Sequence, residues 1–149
     1  MYHLLFSLSS LAVLFWVLLI LLPSWKVTRF LAQLHIFPVF LAILYSVGII
    51  TAISTKGLGF IQHFNSASGV IQLLSESDFA LLVWIHILCF DQVVGHSIYR
   101  DNMENRYIQL PLQSILLFLT LMFGPFGWLC YVMFKKIGGH ERERSKENI

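Results

Sequence analysis

Residues 78–99 read DFALLVWIHILCFDQVVGHSIY. The run is apolar enough to cross a membrane, yet it carries His86, Asp91 and His96, with Cys89 and Gln92 between them. A bilayer core needs about 20 apolar residues for one helical crossing, and this run meets that length. Backbone amides in lipid must be satisfied within the segment, so the run reads as a helix. Composition supports the setting. Charged residues are 12% of the 149 and hydrophobic residues 57%, whereas a soluble domain carries about 25% charge. So little charge cannot cover a water-facing surface.

Three further apolar runs flank this one, at 2–22, 36–53 and 112–134. The predicted fold is all-α, a transmembrane bundle of four helices. The first run has no preceding basic residue and a longer core than a secretory leader, so it is expected to be a retained span. Pro23 and Trp25 suit an interfacial turn after it. Residues 54–77 are too long for a turn and are interrupted by Gly57, Gly59 and Gly69. Within them GVIQLL is expected to form a short interfacial or re-entrant segment between helices 2 and 3. The Ser-Glu-Ser-Asp at 75–78 supplies capping side chains for the third helix, and Pro111 fits the first turn of the fourth.

Residues 135–149 form a charged tail, expected to be solvated and mobile. It holds five of the ten Lys and Arg, interleaved with Glu. Net charge is only +2, and no basic patch of the kind nucleic acid requires is present. The positive-inside bias leans towards a multi-pass protein with both termini cytoplasmic.

Helical geometry sorts the third run. At about 100° per residue, Phe79, Ala80, Val83, Ile87, Phe90, Val94 and Ile98 share one arc, expected to face lipid. Asp91, Gly95, Tyr99, Gln92, His96, Cys89 and His86 close the rest of the circle. Trp84, Asp91, Gly95 and Tyr99 share a stripe, and Gly95 permits close approach of a neighbouring helix. His86 and Asp91 straddle the middle of the run. An ionised carboxylate there costs about 2.5–3.5 kcal/mol on insertion scales, so Asp91 must be protonated, paired or set in a polar cavity. The two residues are about 140° and about 7.5 Å apart along one helix. They can act together only on a ligand between them or through other helices.

The fourth run contributes Thr120, Gly124 and Gly127 as a small-residue packing face, and Pro125 as a kink. In the second run Tyr45 offers a hydroxyl. No Cys pair has zinc-ligand spacing and no phosphate loop occurs; His86 and His96, ten residues apart on one helix, cannot clamp one metal. A bis-His haem would need a second helix, with His35 at a depth that could suit His96. No metal and no cofactor is expected.

Three strings carry a resemblance. Ser66-Ala67-Ser68-Gly69-Val70-Ile71-Gln72-Leu73-Leu74, then Trp84-Ile85-His86-Ile87-Leu88-Cys89-Phe90-Asp91-Gln92-Val93-Val94-Gly95, then Phe123-Gly124-Pro125-Phe126-Gly127 resemble, in that order, the abscisic-acid-deficient-four-like membrane proteins. The plant member is associated with making neoxanthin from violaxanthin. This chain has His96 where the family commonly has Arg, Gln92-Val93 for Leu-Phe, and Ala67 for Leu. The resemblance implies redox-neutral isomerisation of a carotenoid or other isoprenoid, an epoxide opening to an allene. Asp91 would act as acid and His86 as base, with His96, Gln92, Tyr99, Trp84 and Tyr45 binding the substrate.

Two readings therefore lead at this point, ahead of a third in which an oligomer uses Asp91 and the histidines as a proton relay for transport. One is a cofactor-independent isomerase of polyene lipids. The other is a non-enzymatic membrane protein that binds lipid or pigment, or supports a partner membrane protein or a second copy of itself.

Overall fold

The computed structural model describes residues 2–147, with side chains from 3 to 138. All regular structure among them is helical. In chain order come α1 (Tyr2–Ser9), α2 (Ala12–Leu21), α3 (Lys26–Gln33) and α4 (Ile36–Lys56). A short 3-10 helix (Gly59–Asn65) and α5 (Ala67–Ser75) follow, then α6 (Ser77–Asn105), α7 (Leu110–Phe123) and α8 (Pro125–Glu147). Three stretches are long and apolar enough to cross a membrane: His3–Leu21, Ile36–Lys56 and Ser77–Asn105. Their outer faces leave large apolar side chains uncovered, among them Leu14, Ile50 and Phe90, as a lipid-facing surface would.

Local chemistry explains where helices differ from the sequence expectation. The first run is interrupted at Ser10 and Leu11. There Ser9 Oγ donates to the Phe6 carbonyl at 2.7 Å and Ser10 Oγ to the same carbonyl at 3.3 Å, so hydroxyls compete with the backbone ladder. The third run extends past Tyr99 to Asn105. Its added turns carry an Arg100–Glu104 pair at i,i+4, 3.3 Å apart, a spacing that supports a helix. The segment 54–77, expected to hold one short helix at GVIQLL, is helical over more of its length, in a 3-10 helix and α5. Ser66 Oγ accepts from the Gly69 amide to cap α5.

The chain divides into two compact units. One comprises Met1–Ala12 with Phe37–Cys89, the other Val13–Ile36 with Phe90–Ile149. In the first unit Leu5, Ala12, Leu41, Leu44 and Ile85 form one core cluster. A second gathers Ala52, Leu73, Phe79 and Leu82. Gly48 lies against the Leu82 side chain, bringing α4 and α6 close.

In the second unit Phe15, Trp16, Leu19, Ile98, Leu116 and Leu117 are fully buried. Tyr99 Oη donates to the Pro23 carbonyl at 2.6 Å, and Ser114 Oγ to the Ile20 carbonyl at 2.6 Å. The residues of 112–134, expected as one kinked span, form two helices. α7 ends at Phe123, Gly124 turns the chain with φ 41 and ψ −98, and α8 starts at Pro125. The two helices then run back along each other. Gly127 packs on the Thr120 backbone, Tyr131 and Lys135 both reach Asp101, and Gly138 meets the Tyr107 carbonyl. A straight continuation would carry Gly138 about 40 Å from Leu110 at 1.5 Å per residue, so contact with Tyr107 requires a hairpin. Thr120, Gly124 and Gly127 thus serve the close approach of α7 to α8.

Of the charged tail, Lys135 is held by Asp101 at 2.6 Å. The side chains from 139 onward, where the expected mobile stretch falls, lie outside the described residues.

Candidate functional site: an apolar cavity walled by the α4–α6 linker

The first unit contains a cavity of about 430 Å³, within the range of small-molecule sites. α4 contributes Tyr45, Ile49 and Ile53. The linker contributes Leu58, Phe60, Ile61 and Phe64, α5 adds Val70, Leu73 and Leu74, and α6 adds Phe79, Leu82, Val83 and His86. Of these residues only Tyr45 and His86 carry polar side-chain atoms.

The linker forms this wall because several local constraints agree. Gly57 ends α4 in the left-handed conformation, φ 70, which glycine adopts at little cost. Gly69 lies so close to the His63 carbonyl that a Cβ would collide with it; α5 can therefore fold onto the 3-10 helix. Phe60 packs on Phe79 with ring centroids 5.1 Å apart. Lys56 Nζ bonds Glu76 at 2.6 Å and lies 3.8 Å from Asp78, tying the end of α4 to the start of α6. The acids of 76–78 thus meet a lysine at the cavity's outer end.

Tyr45 and His86 sit at the other end. On α4, Tyr45 lies eleven residues before Lys56, and on α6 His86 lies nine after Ser77, about 13–16 Å along each helix. Their rings are in contact, with centroids 5.0 Å apart and planes at 53°. The cavity thus runs from the linker towards the middle of α4 and α6 and ends on an imidazole and a phenol. An imidazole can both donate and accept a hydrogen bond through its two ring nitrogens.

The remaining residues singled out from the sequence lie elsewhere. Trp84 is 48% exposed and outside the cavity wall. Asp91 belongs to the second unit, where its carboxyl lies against Gly124; a Cβ there would stand 2.5 Å from Asp91 Oδ1. The α7–α8 turn therefore sits beside this acid. Carboxylates are favoured near the first residues of a helix, whose amides lack partners, and α8 begins one residue after Gly124. Gly95 packs on the buried indole of Trp16.

Gln92 and His96 are both buried, and among the described residues neither the Gln92 amide atoms nor the His96 ring nitrogens have a hydrogen-bond partner. The His96 ring lies 4.4 Å from that of His35. Tyr99 is committed to Pro23. The structure thus brings together Tyr45 and His86 in one cavity, and Asp91 and Gly124 at one turn. Among the described residues no group of three or more His, Cys, Asp or Glu is placed to hold a metal.

Sequence reading did not single out Asn102, a fully buried residue. Its Nδ2 donates to Gln113 Oε1 at 2.7 Å and to the Ile108 carbonyl at 3.1 Å, while its Oδ1 accepts from the Ile108 amide at 2.9 Å. That side chain closes the α6–α7 connection. A lone Gln inside the apolar run at 112–134 was the available signal. The cavity-lining aromatics Phe60 and Phe64 were equally missed, although large apolar residues in a Gly-broken linker hint at a wall.

Residues 4–131 match the family model described as ABA DEFICIENT 4-like. The chain belongs to the ABA4-like family. The match covers the cavity-lining residues, Asp91 and the Gly124 turn of this ABA4-like chain, and the apolar helices fit a membrane protein of that family. Neither the curated proteins nor the solved structures contain a match.

Proposed function

We propose that this ABA4-like chain is a membrane protein that takes an elongated isoprenoid or polyene lipid into the cavity of the first unit. The observation that carries the reading is the lining: an apolar wall ending on Tyr45 and His86. Such a site sequesters hydrocarbon and offers one hydrogen-bonding end, which fits a terpenoid with an oxygenated terminus. A polyene longer than the cavity would keep its remaining length along the apolar outer faces of the helices.

We assign the helices a topology to match. The stretches 3–21, 36–56 and 77–105 cross the bilayer, and the α7–α8 hairpin enters it from the side of the 106–109 connection. At about 21 Å, α7 is too short to cross a core of about 30 Å. It turns instead at Gly124, beside Asp91. Irregular backbone at that depth is tolerated where protein covers it, and Gly124 is buried.

A second reading is favoured by the placement of His86 on the cavity wall. It is cofactor-independent acid–base isomerisation, in which His86 takes a proton adjacent to the oxygen function and the Tyr45 hydroxyl, beside it on the same wall, donates one to the oxygen. One experiment separates these readings. Lipids extracted from the detergent-purified protein would be compared by mass spectrometry for wild type, His86→Ala and Tyr45→Phe. A polyene or isoprenoid enriched with wild type and lost from His86→Ala supports the cavity as its site. Accumulation of an unconverted epoxide with Tyr45→Phe supports the chemistry. Bulk phospholipid alone in all three samples refutes both.

A further inference from the structure

The second unit holds another cavity, of about 200 Å³, which the lipid reading above does not use. Its wall includes Arg29 of α3, Tyr99, Arg100, Met103 and Glu104 of α6, and Arg106 just beyond it. Three guanidinium groups here share one carboxylate. Arg100 is already engaged, its Nη2 with Glu104 Oε1 at 3.3 Å and its Nη1 with His35 Nε2 at 3.1 Å. Among the described residues Arg29 and Arg106 have no carboxylate within ion-pair distance. The cavity therefore holds three positive charges against one carboxylate among the described residues, and that carboxylate is already paired with Arg100.

The backbone at this spot is also costly. Among the described residues only His35 and Arg106 hold a positive φ without being glycine, at 53° and 56°. They follow the ends of α3 and α6, where glycine or asparagine is the usual choice. Strain of this kind marks positions where a particular side chain is needed. Arg106 supplies a cavity-lining guanidinium, and His35 holds Arg100.

The position of α3 identifies the kind of anion. Thr28 and Ala32 bury one side of this short helix, while Phe30, with Trp25 before it and Leu34 after it, is about half or more exposed. A helix with basic and aromatic residues outward, placed between two apolar stretches, lies at the headgroup level of a membrane. Guanidinium forks are suited to phosphate oxygens.

We propose that this cavity binds the phosphate of an anionic membrane lipid, gripped by Arg29 and Arg106 with Arg100 held in place behind them. The proposal is independent of any ligand in the first unit.

The test uses the full chain in detergent micelles and native mass spectrometry. Short-chain phosphatidylglycerol, phosphatidylcholine of the same chain length and inorganic phosphate are titrated separately and in competition. The first equivalent of phosphatidylglycerol should bind at least about fivefold more tightly than phosphatidylcholine, and Arg29→Gln and Arg106→Gln should each remove about that factor. The preference should shrink as salt is raised.

Arg106→Gly separates binding from folding. It relieves the left-handed backbone, so its thermal midpoint should hold or rise while the lipid preference falls. Lys56→Gln, in the other unit, should leave the preference intact. Equal binding of the two lipids, or a preference that survives the double substitution of Arg29 and Arg106, overturns the proposal. If inorganic phosphate binds as tightly as phosphatidylglycerol and displaces it fully, the source is a free anion and the lipid assignment fails.

Discussion

Gly124→Ala tests the hairpin and its relation to Asp91 together. At φ 41 and ψ −98 the backbone lies where a residue with a Cβ is strained, at a cost of about 1–3 kcal/mol. The new methyl would also stand 2.5 Å from Asp91 Oδ1. That is well inside contact distance, and overpacking of this kind costs about 1–3 kcal/mol. The two terms sum to a loss of about 2–6 kcal/mol.

Only the second term depends on Asp91. In an Asp91→Ala background Gly124→Ala should therefore cost only the backbone part, leaving a coupling energy of about 1–3 kcal/mol in a double-mutant cycle. Unfolding in mixed micelles at rising SDS fraction, followed by tryptophan fluorescence, measures each corner. Coupling below about 0.5 kcal/mol, the range expected for independent sites, would show that Gly124 and Asp91 do not touch.

Further outcomes follow from other parts of the fold. A hairpin places the C-terminal tail and the 106–109 connection on the same side of the membrane, whereas one crossing over 112–134 places them on opposite sides. Maleimide labelling of Gln109→Cys and Asn148→Cys in sealed vesicles, each in a background lacking Cys89 and Cys130, decides this. Asn102→Ala leaves Gln113 Oε1 and both backbone groups of Ile108 without their partner. It should cost about 3 kcal/mol or more in the same unfolding assay, three groups at about 1–3 kcal/mol each, and a neutral result would place the connection outside the cooperative unit. Leu73→Trp fills the cavity from α5 and should abolish co-purification of a hydrocarbon ligand with the helical circular dichroism unchanged; retained ligand would move the site elsewhere. Asp101→Ala removes the partner of Lys135 and Tyr131. Because the ion pair is partly exposed, the loss should be about 1 kcal/mol, and a loss above about 3 kcal/mol would contradict a partly solvated pair.

The run at 78–99 was decisive by itself because lipid imposes a single rule: a predominantly apolar stretch of that length must satisfy its own amides as a helix. The same rule identified 36–53, and the sparse charge placed the chain in a membrane setting. The three motif strings pointed to the family. The 3.6-residue period turned Gln92, Gly95, His96 and Tyr99 inward, where they are buried, but it also turned Phe79 and Ile98 towards lipid, and tertiary packing buries both.

What periodicity could not supply was direction after a break. Phe-Gly-Pro-Phe-Gly allows either a kink or a reversal, and the choice depends on the ψ of Gly124 and on Asp101 and Tyr107 waiting to receive Tyr131, Lys135 and Gly138. Nor could it show that a Gly-interrupted linker closes a cavity over Tyr45 and His86. Gly69 has meaning only beside the His63 carbonyl, and Lys56 only beside Glu76. The sequence alone determined that the long apolar segments are helical and suited to a membrane, because that depends on near neighbours and on the solvent. Only tertiary structure decided where the chain reverses and which polar residues share a cavity, because both depend on contacts between residues far apart in the chain.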